Sequence, residues 1–320
     1  MEACTEKTVK TNMKNKVLIN LGQLKVSVVN HWMLYLLIVP FLIWYAIFMY
    51  KPMYGLQIGF KDYDILSGIT QSPFAGFEHF KEFLTDEFFW RAFRNTIMIS
   101  IYDLVFGFPA PIILALMLNE MKSVRFKKAI QTITYLPHFI SIVVIAGLVT
   151  NFLAPSGLIN NIIAALGGER TYFLIQPENF RGIYTGMNVW KGIGFSAVVY
   201  ISALSGVDSQ LYEAASIDGA GRFKQLCHVT LPCIRPTIMV MLILKIGQLL
   251  SVSYEAILLL YQPSTYQTAD IVSTYVYRTG MVEGRYDFAT AVGLTNSIIA
   301  FALVYISNKI SKKYSDTSIF

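Results

Sequence analysis

Apolar residues fall in six long blocks separated by polar or mixed segments. The blocks cover residues 33–50, 95–118, 135–153, 183–204, 236–261 and 290–308. Each is close to the roughly 20 residues that cross about 30 Å of hydrocarbon as a helix. The pattern predicts an all-α, polytopic membrane protein with six transmembrane helices. The first block follows the lysines at 7, 10, 14, 16 and 25 and ends in Phe48-Met49-Tyr50-Lys51. No small-residue cleavage site follows it, so it reads as a retained spanning helix and not as a signal peptide.

The segment between the fourth and fifth blocks, residues 205–235, is an island of small and polar residues. Its centre reads Glu213-Ala214-Ala215-Ser216-Ile217-Asp218-Gly219-Ala220 and runs on to Val229-Thr230-Leu231-Pro232. The pattern predicts two short helices hinged at Asp218-Gly219-Ala220-Gly221, where glycine supplies backbone freedom. Phe223, Leu226, Cys227, Thr230 and Leu231 recur at helical spacing and are expected on one face of the second helix. Pro232 and Pro236 are expected to punctuate the entry to the next span. A surface loop with one apolar and one polar face fits the grip of a soluble partner. An amphipathic loop lying on the membrane surface would also satisfy the pattern.

Composition supports the membrane class. Apolar residues make up 54% of the 320 residues and charged residues only 14%, against roughly 25% charged in soluble domains. The net charge of +6 would hint at nucleic acid in a soluble chain, but its distribution here indicates topology. Short segments 1–32, 119–134, 205–235 and 309–320 hold fifteen of the 26 Lys and Arg, the alternate segments nine, and the spans two. By the positive-inside rule both termini and the 205–235 loop are cytoplasmic. The expected organisation is a cytoplasmic segment 1–30, a six-helix domain 31–308 containing the 205–235 loop, and a cytoplasmic tail 309–320. Cys4, Cys227 and Cys233 share no ligand spacing with His31, His79, His138 or His228, so no metal site or disulfide is expected. There is no phosphate-cradling Gly-rich loop and no nucleophile elbow. The chain is expected to bind no cofactor and no nucleic acid, and to catalyse nothing itself.

Four charged residues fall inside the blocks: Asp103, Lys191, Lys245 and Glu255. Each is costly in lipid and should face protein or a water-filled path. On one continuous helix Lys245 would lie near the midplane, with Glu255 about 15 Å further along and roughly 80° around it. A polar translocation path is expected to draw on Asn188, Trp190, Lys191, Lys245, Gln248 and Glu255, with rings stacking on sugar faces and amides and Lys bonding hydroxyls or carboxylates. The alternative is that these groups satisfy one another or a partner subunit between helices, with Lys191 snorkelling outward. Gly247, Ser251 and Ser253 would let the fifth span approach another helix closely, within the chain or across a subunit interface.

The 213–232 segment resembles the EAA loop of binding-protein-dependent ABC importers, whose pattern is Glu-Ala-Ala, three residues, Gly, nine residues, an aliphatic residue, one residue, then Leu-Pro. Glu213, Ala214, Ala215, Gly219, Leu231 and Pro232 match literally, with Val229 at the aliphatic place. Further runs resemble the maltose-type carbohydrate permeases, closest to the aldouronate and pectic-oligosaccharide branch. These are Ser72-Pro73-Phe74-Ala75-Gly76 with Phe80, then Asn95-Thr96 and Tyr135-Leu136-Pro137-His138-Phe139-Ile140-Ser141. Asp270-Ile271-Val272-Ser273-Thr274-Tyr275-Val276-Tyr277-Arg278 and Thr290-Ala291-Val292-Gly293-Leu294 complete the set. Ser253-Tyr254 stand before Glu255 where the branch leads one to expect Gly-Phe.

The resemblance implies a type I ABC importer permease fold in a bacterial cell membrane, in an importer of plant-polysaccharide or uronate-containing oligosaccharides. It implies a separate cytoplasmic ATPase dimer using ATP and Mg²⁺, a second homologous permease, and an extracellular sugar-binding lipoprotein. The coupling residues it implies are Glu213, Ala214, Ala215, Asp218, Gly219, Ala220, Phe223, Leu226, Leu231 and Pro232. Two rival readings are the same importer with a non-sugar cargo and an ion-coupled secondary transporter.

Overall fold

The computed structural model describes residues 30–250 and 252–315. The expected segment 1–30 with Cys4 (all but its last residue), Ser251 and the last five residues of the tail lie outside the described residues. The chain divides into two units, residues 1–57 and 58–320.

Helices account for nearly all regular structure, and among the described residues the one β-bridge joins Lys61 and Phe74. Helix α1, Trp32–Phe60, comes first among the described residues; its run contains a wide π turn at Ala46–Tyr50 and ends as a 3-10 helix. A short α2, Glu78–Thr85, leads into α3, Glu87–Glu120. Then follow α4, Val124–Tyr135, α5, Ile142–Leu153, and α6, Leu158–Ala165. The long α7, Pro177–Ser205, precedes α8, Ser209–Ile217, and α9, Arg222–Gly247. Helices α10, Tyr254–Leu260, α11, Val272–Tyr277, and α12, Tyr286–Ser315, complete the order. Among the described residues six runs are long and apolar enough to cross a membrane, as the block pattern predicts.

Two predicted spans differ in construction. The third is expected as one helix over 135–153, but the chain forms α4, a 3-10 turn Leu136–Phe139, and then α5. Pro137 lacks the N–H that a continuing helix needs, and Ser141 restarts the ladder by accepting from the Val144 amide. The fifth is expected as one helix over 236–261, but α9 ends at Gly247 and α10 begins at Tyr254. The estimate that Lys245 and Glu255 stand about 80° apart on one helix is therefore corrected. The second span begins at Glu87, eight residues before the expected start, because Asp86 caps it by accepting from the Phe88 amide.

Proline does not end the fifth span where punctuation was expected. Helix α9 runs through Pro232 and Pro236. A π turn at Leu226–Thr230 precedes Pro232, and a second at Asp103–Gly107 precedes Pro109 in α3. A π turn shifts the hydrogen bonds to i→i−5, so the missing proline N–H and the ring are accommodated without breaking the helix.

Packing forms three buried clusters along the second unit. Ala115, Ala197, Tyr200, Leu204 and Ile234 close the end nearest the 205–221 loop. Phe83, Phe89, Tyr275 and Phe288 form a cluster with Ala92 and Val292 at the opposite end. Between them Ile99, Ile145, Tyr184, Met187 and Ile257 belong to a third. Small residues set the closest approaches, as expected where no hydrophobic effect draws helices together. A Cβ on Gly194 of α7 would lie 2.2 Å from the Thr134 carbonyl of α4. Gly247 meets Val304 of α12, so its small size serves packing within this chain.

Candidate functional site

The cavity that matters lies between the middle cluster and the one at the loop end. It has a volume of about 250 Å³ and its wall comes from α3, α7, α9 and the linker 248–253. Helix α3 supplies Ile99, Ser100, Asp103, Gly107 and Pro111 at three- and four-residue steps, one face of a helix. Helix α7 supplies Tyr184, Asn188, Gly192 and Ser196 in the same way. The end of α9 adds Lys245 and Gln248.

Asp103 is residue seventeen of the 34 in Glu87–Glu120, so the cavity sits at mid-depth. Its Oδ2 lies 2.5 Å from Lys245 Nζ. The π turn and Gly107 make room for this carboxylate, since a Cβ at Gly107 would come 2.3 Å from Asp103 Oδ1. Lys245 occupies the last turn of α9, where the helix dipole favours a cation. The break after Gly247 frees carbonyls that need donors, and Ser100 Oγ donates to one of them, Leu249 O.

A second chamber of about 250 Å³ adjoins the first towards the loop end, lined by Phe108, Tyr200, Met241 and Leu244. Gly107, Pro111, Ser196, Lys245 and Gln248 border both chambers, so together they form the partition between them.

Of the six residues expected along a polar path, Asn188, Lys245 and Gln248 line the cavity, while Trp190, Lys191 and Glu255 do not. Lys191, residue fifteen of the 29 in α7, turns to the α4–α5 break and donates to His138 O at 3.2 Å. It supplies a donor to a carbonyl at the break between α4 and α5 and does not snorkel outward. The His138 ring stacks on Phe195 at 4.0 Å. Glu255 is exposed in the first turn of α10, because the linker turns that helix away from the α9 axis. Sequence reasoning noted Asp103 but left it off the path. The available signal was one acid and one base of opposite sign, each at mid-span.

At the end opposite the loop, a polar network joins α3, α7 and the segment before α11. Asp270 is fully buried and takes Arg278 Nη1 at 3.1 Å and Nη2 at 2.8 Å, with Thr274 Oγ1 at 2.8 Å. These bonds hold the Arg278 guanidinium above its ordinary pKa. Arg91 Nη2 lies 3.8 Å from the same carboxylate. Asn95 Nδ2 donates to Asp270 O at 3.0 Å, and Thr96 Oγ1 accepts from the Val272 amide at 3.0 Å. Arg181 Nη2 donates to Asn95 Oδ1 at 2.9 Å.

The 205–221 loop is an ordered elbow. Asp208 caps α8 through the Gln210 amide. Gly219 adopts φ 74°, and the Ala220 amide closes the helix end on Ala215 O at 2.8 Å. Gln225 Nε2 bridges back to Ser216 Oγ and Ala220 O, and the Tyr212 hydroxyl meets Thr230 Oγ1 at 3.0 Å. The expected second short helix is the opening of α9 itself. Its residues do not share one apolar face: Phe223 is 76% exposed, Leu226 and Leu231 are half-buried, and Thr230 is buried. The π turn rotates the face between them. Glu213, Ala214, Asp218, Gly219 and Pro232 are exposed, and Ala215 and Ala220 half-buried.

Three comparisons bear on this arrangement. The family of binding-protein-dependent transport system inner membrane components matches residues 107–313. Protein LplB of Bacillus subtilis (strain 168) is 42% identical over 288 residues, 90% of this chain and 91% of that protein. The polygalacturonan/rhamnogalacturonan transport system permease protein YteP of the same organism is 40% identical, covering 93% of each. Among solved structures, a chain of a bacterial ABC transporter involved in the import of the acidic polysaccharide alginate superposes with a TM-score of 0.85. It is 48% identical and covers 92% of this chain and 99% of its own length.

Proposed function

This chain belongs to the family of binding-protein-dependent transport system inner membrane components, and from that premise we propose that it is the permease subunit of an ATP-driven importer of oligosaccharides. The relatives favour a sugar over other cargo, one being a polygalacturonan/rhamnogalacturonan permease and another part of an alginate importer. The crystal structure of that importer with a pentasaccharide-bound periplasmic protein supports delivery by an external sugar-binding lipoprotein. A cytoplasmic ATPase dimer using ATP and Mg²⁺ and a second homologous permease complete the assembly. Both termini and the elbow face the cytoplasm in this reading, and no nucleotide binds this chain.

One observation carries the mechanism. Helix α9 begins at Arg222, beside the exposed elbow, and continues to Lys245 at the partition. Twenty-three steps at 1.5 Å per residue make a rod about 35 Å long. When the ATPases close on ATP, the force they apply at Phe223 acts on this rod directly, and the force at Glu213–Ala220 joins it through the Gln225 bonds to Ser216 and Ala220, so both reach the Lys245–Asp103 pair. Pre-existing outward- and inward-open states are then biased by the differential contact of the ATPases with the elbow. Asn188, Gln248 and Lys245 bond the hydroxyls of the cargo, and parting of Lys245 from Asp103 joins the two chambers.

The test is ATP hydrolysis by the affinity-purified complex in nanodiscs, with its binding protein and a panel of neutral and uronic oligosaccharides. Stimulation by an oligosaccharide is the expected result. A complex without ATPase whose uptake follows an ion gradient would overturn the reading.

A further inference from the structure

Along the path that this function requires, charge is not balanced evenly. At mid-depth the Lys245–Asp103 pair is neutral in sum. Outward of it the same two helices carry a cationic station. On α3, the cavity residues Asp103 and Ile99 are followed outward at four-residue steps by Asn95 and Arg91. On α7, Asn188 and Tyr184 are followed by Arg181. The two columns meet where Arg181 Nη2 donates to Asn95 Oδ1 at 2.9 Å, one turn, or about 5 Å, beyond the cavity rim.

Two guanidiniums, Arg278 and Arg91, lie within 4 Å of the Asp270 carboxylate, and Arg181 joins the network through Asn95. Asp270 is saturated by Arg278 and Thr274, and Arg91 reaches it only at 3.8 Å. Among the described residues Arg181 has no carboxylate within 4 Å and rests on a neutral amide oxygen. The Nε atoms of both Arg91 and Arg181 are buried without a partner. Arg94, exposed beside Asn95, adds a further positive charge. Unsatisfied buried donors cost free energy, and a guanidinium on an amide oxygen exchanges readily for a carboxylate, which it binds about twice as strongly and in bidentate geometry. A positive, low-dielectric approach also raises the local concentration of anions.

We propose that Arg91 and Arg181 form an outer recognition station for the carboxylate of a uronic-acid residue, engaged before the cargo enters the cavity. The proposal rests on the importer reading. It places acid selectivity at the entrance, since Asp103 already neutralises the charge of Lys245.

The experiment measures binding of an oligogalacturonide and its methyl ester to the purified importer complex without its external binding protein, by microscale thermophoresis. Wild type, Arg181→Gln, Arg181→Lys and Arg91→Gln are compared, each shown monodisperse by size exclusion. Wild type is expected to bind the acid at least about tenfold tighter than the ester. Arg181→Gln and Arg91→Gln should erase most of that preference, and Arg181→Lys should keep part of it. A wild type without preference, or a preference that survives both glutamine variants, overturns the station. Uptake of the same two sugars into vesicles containing the full complex judges the importer reading separately. Binding without uptake overturns that reading and leaves the station standing.

Discussion

Lys245 Nζ and Asp103 Oδ2 lie 2.5 Å apart, joining the last turn of α9 to the π turn of α3 at mid-depth. Lys245 borders both chambers and Asp103 the first, so the pair stands where the two meet.

The first prediction concerns the pair itself. Loss of one partner from a buried ion pair costs about 3–5 kcal/mol, but each side chain here is about a third exposed, which reduces the cost to about 1–2 kcal/mol. Lys245→Met should lower the thermal midpoint of the complex by several degrees, and Lys245→Met with Asp103→Asn should recover most of it. Equal loss in the single and double variants would show that the pair contributes no coupling.

Gly107 tests the same pair from the backbone side. A Cβ there would stand 2.3 Å from Asp103 Oδ1, so Gly107→Ala should turn the carboxylate away from Lys245. The expected outcome is a raised basal ATPase rate with weakened cargo stimulation, matching Asp103→Asn. Wild-type stimulation in Gly107→Ala would contradict the tight fit.

Lys191 is assigned to the α4–α5 break and not to cargo. Lys191→Met strips the His138 carbonyl of its donor, at a cost of about 1–3 kcal/mol. Stability should fall while the half-saturating cargo concentration stays unchanged. A several-fold rise in that concentration would return Lys191 to the path.

The elbow separates folding from coupling. Gly219→Val places a branched residue at φ 74°, costing about 1–2 kcal/mol, and should release the ATPases while the membrane subunits stay assembled. Phe223, 76% exposed, costs the fold little when truncated. Phe223→Ala should therefore weaken ATPase retention with no shift in thermal midpoint. Co-purification of ATPase in wild-type ratio with both variants would sink the coupling assignment.

The sequence by itself determined the number of spans, the membrane class and the left-handed turn at Gly219. Transfer of side chains to hydrocarbon is local and additive, so a block of apolar residues declares a span without reference to its neighbours. The left-handed turn likewise depends on one residue's own backbone. Tertiary structure alone decided where the helices break and which charges meet. Apolar runs over 135–153 and 236–261 read as continuous, yet each is interrupted, because donors from other helices (Lys191 to His138 O, Ser100 to Leu249 O) satisfy the freed carbonyls. The break after Gly247 removed Glu255 from the α9 axis, and the α3 π turn brought Asp103 to Lys245. A backbone bond satisfied from a distant helix leaves no mark in the hydropathy of the segment that receives it.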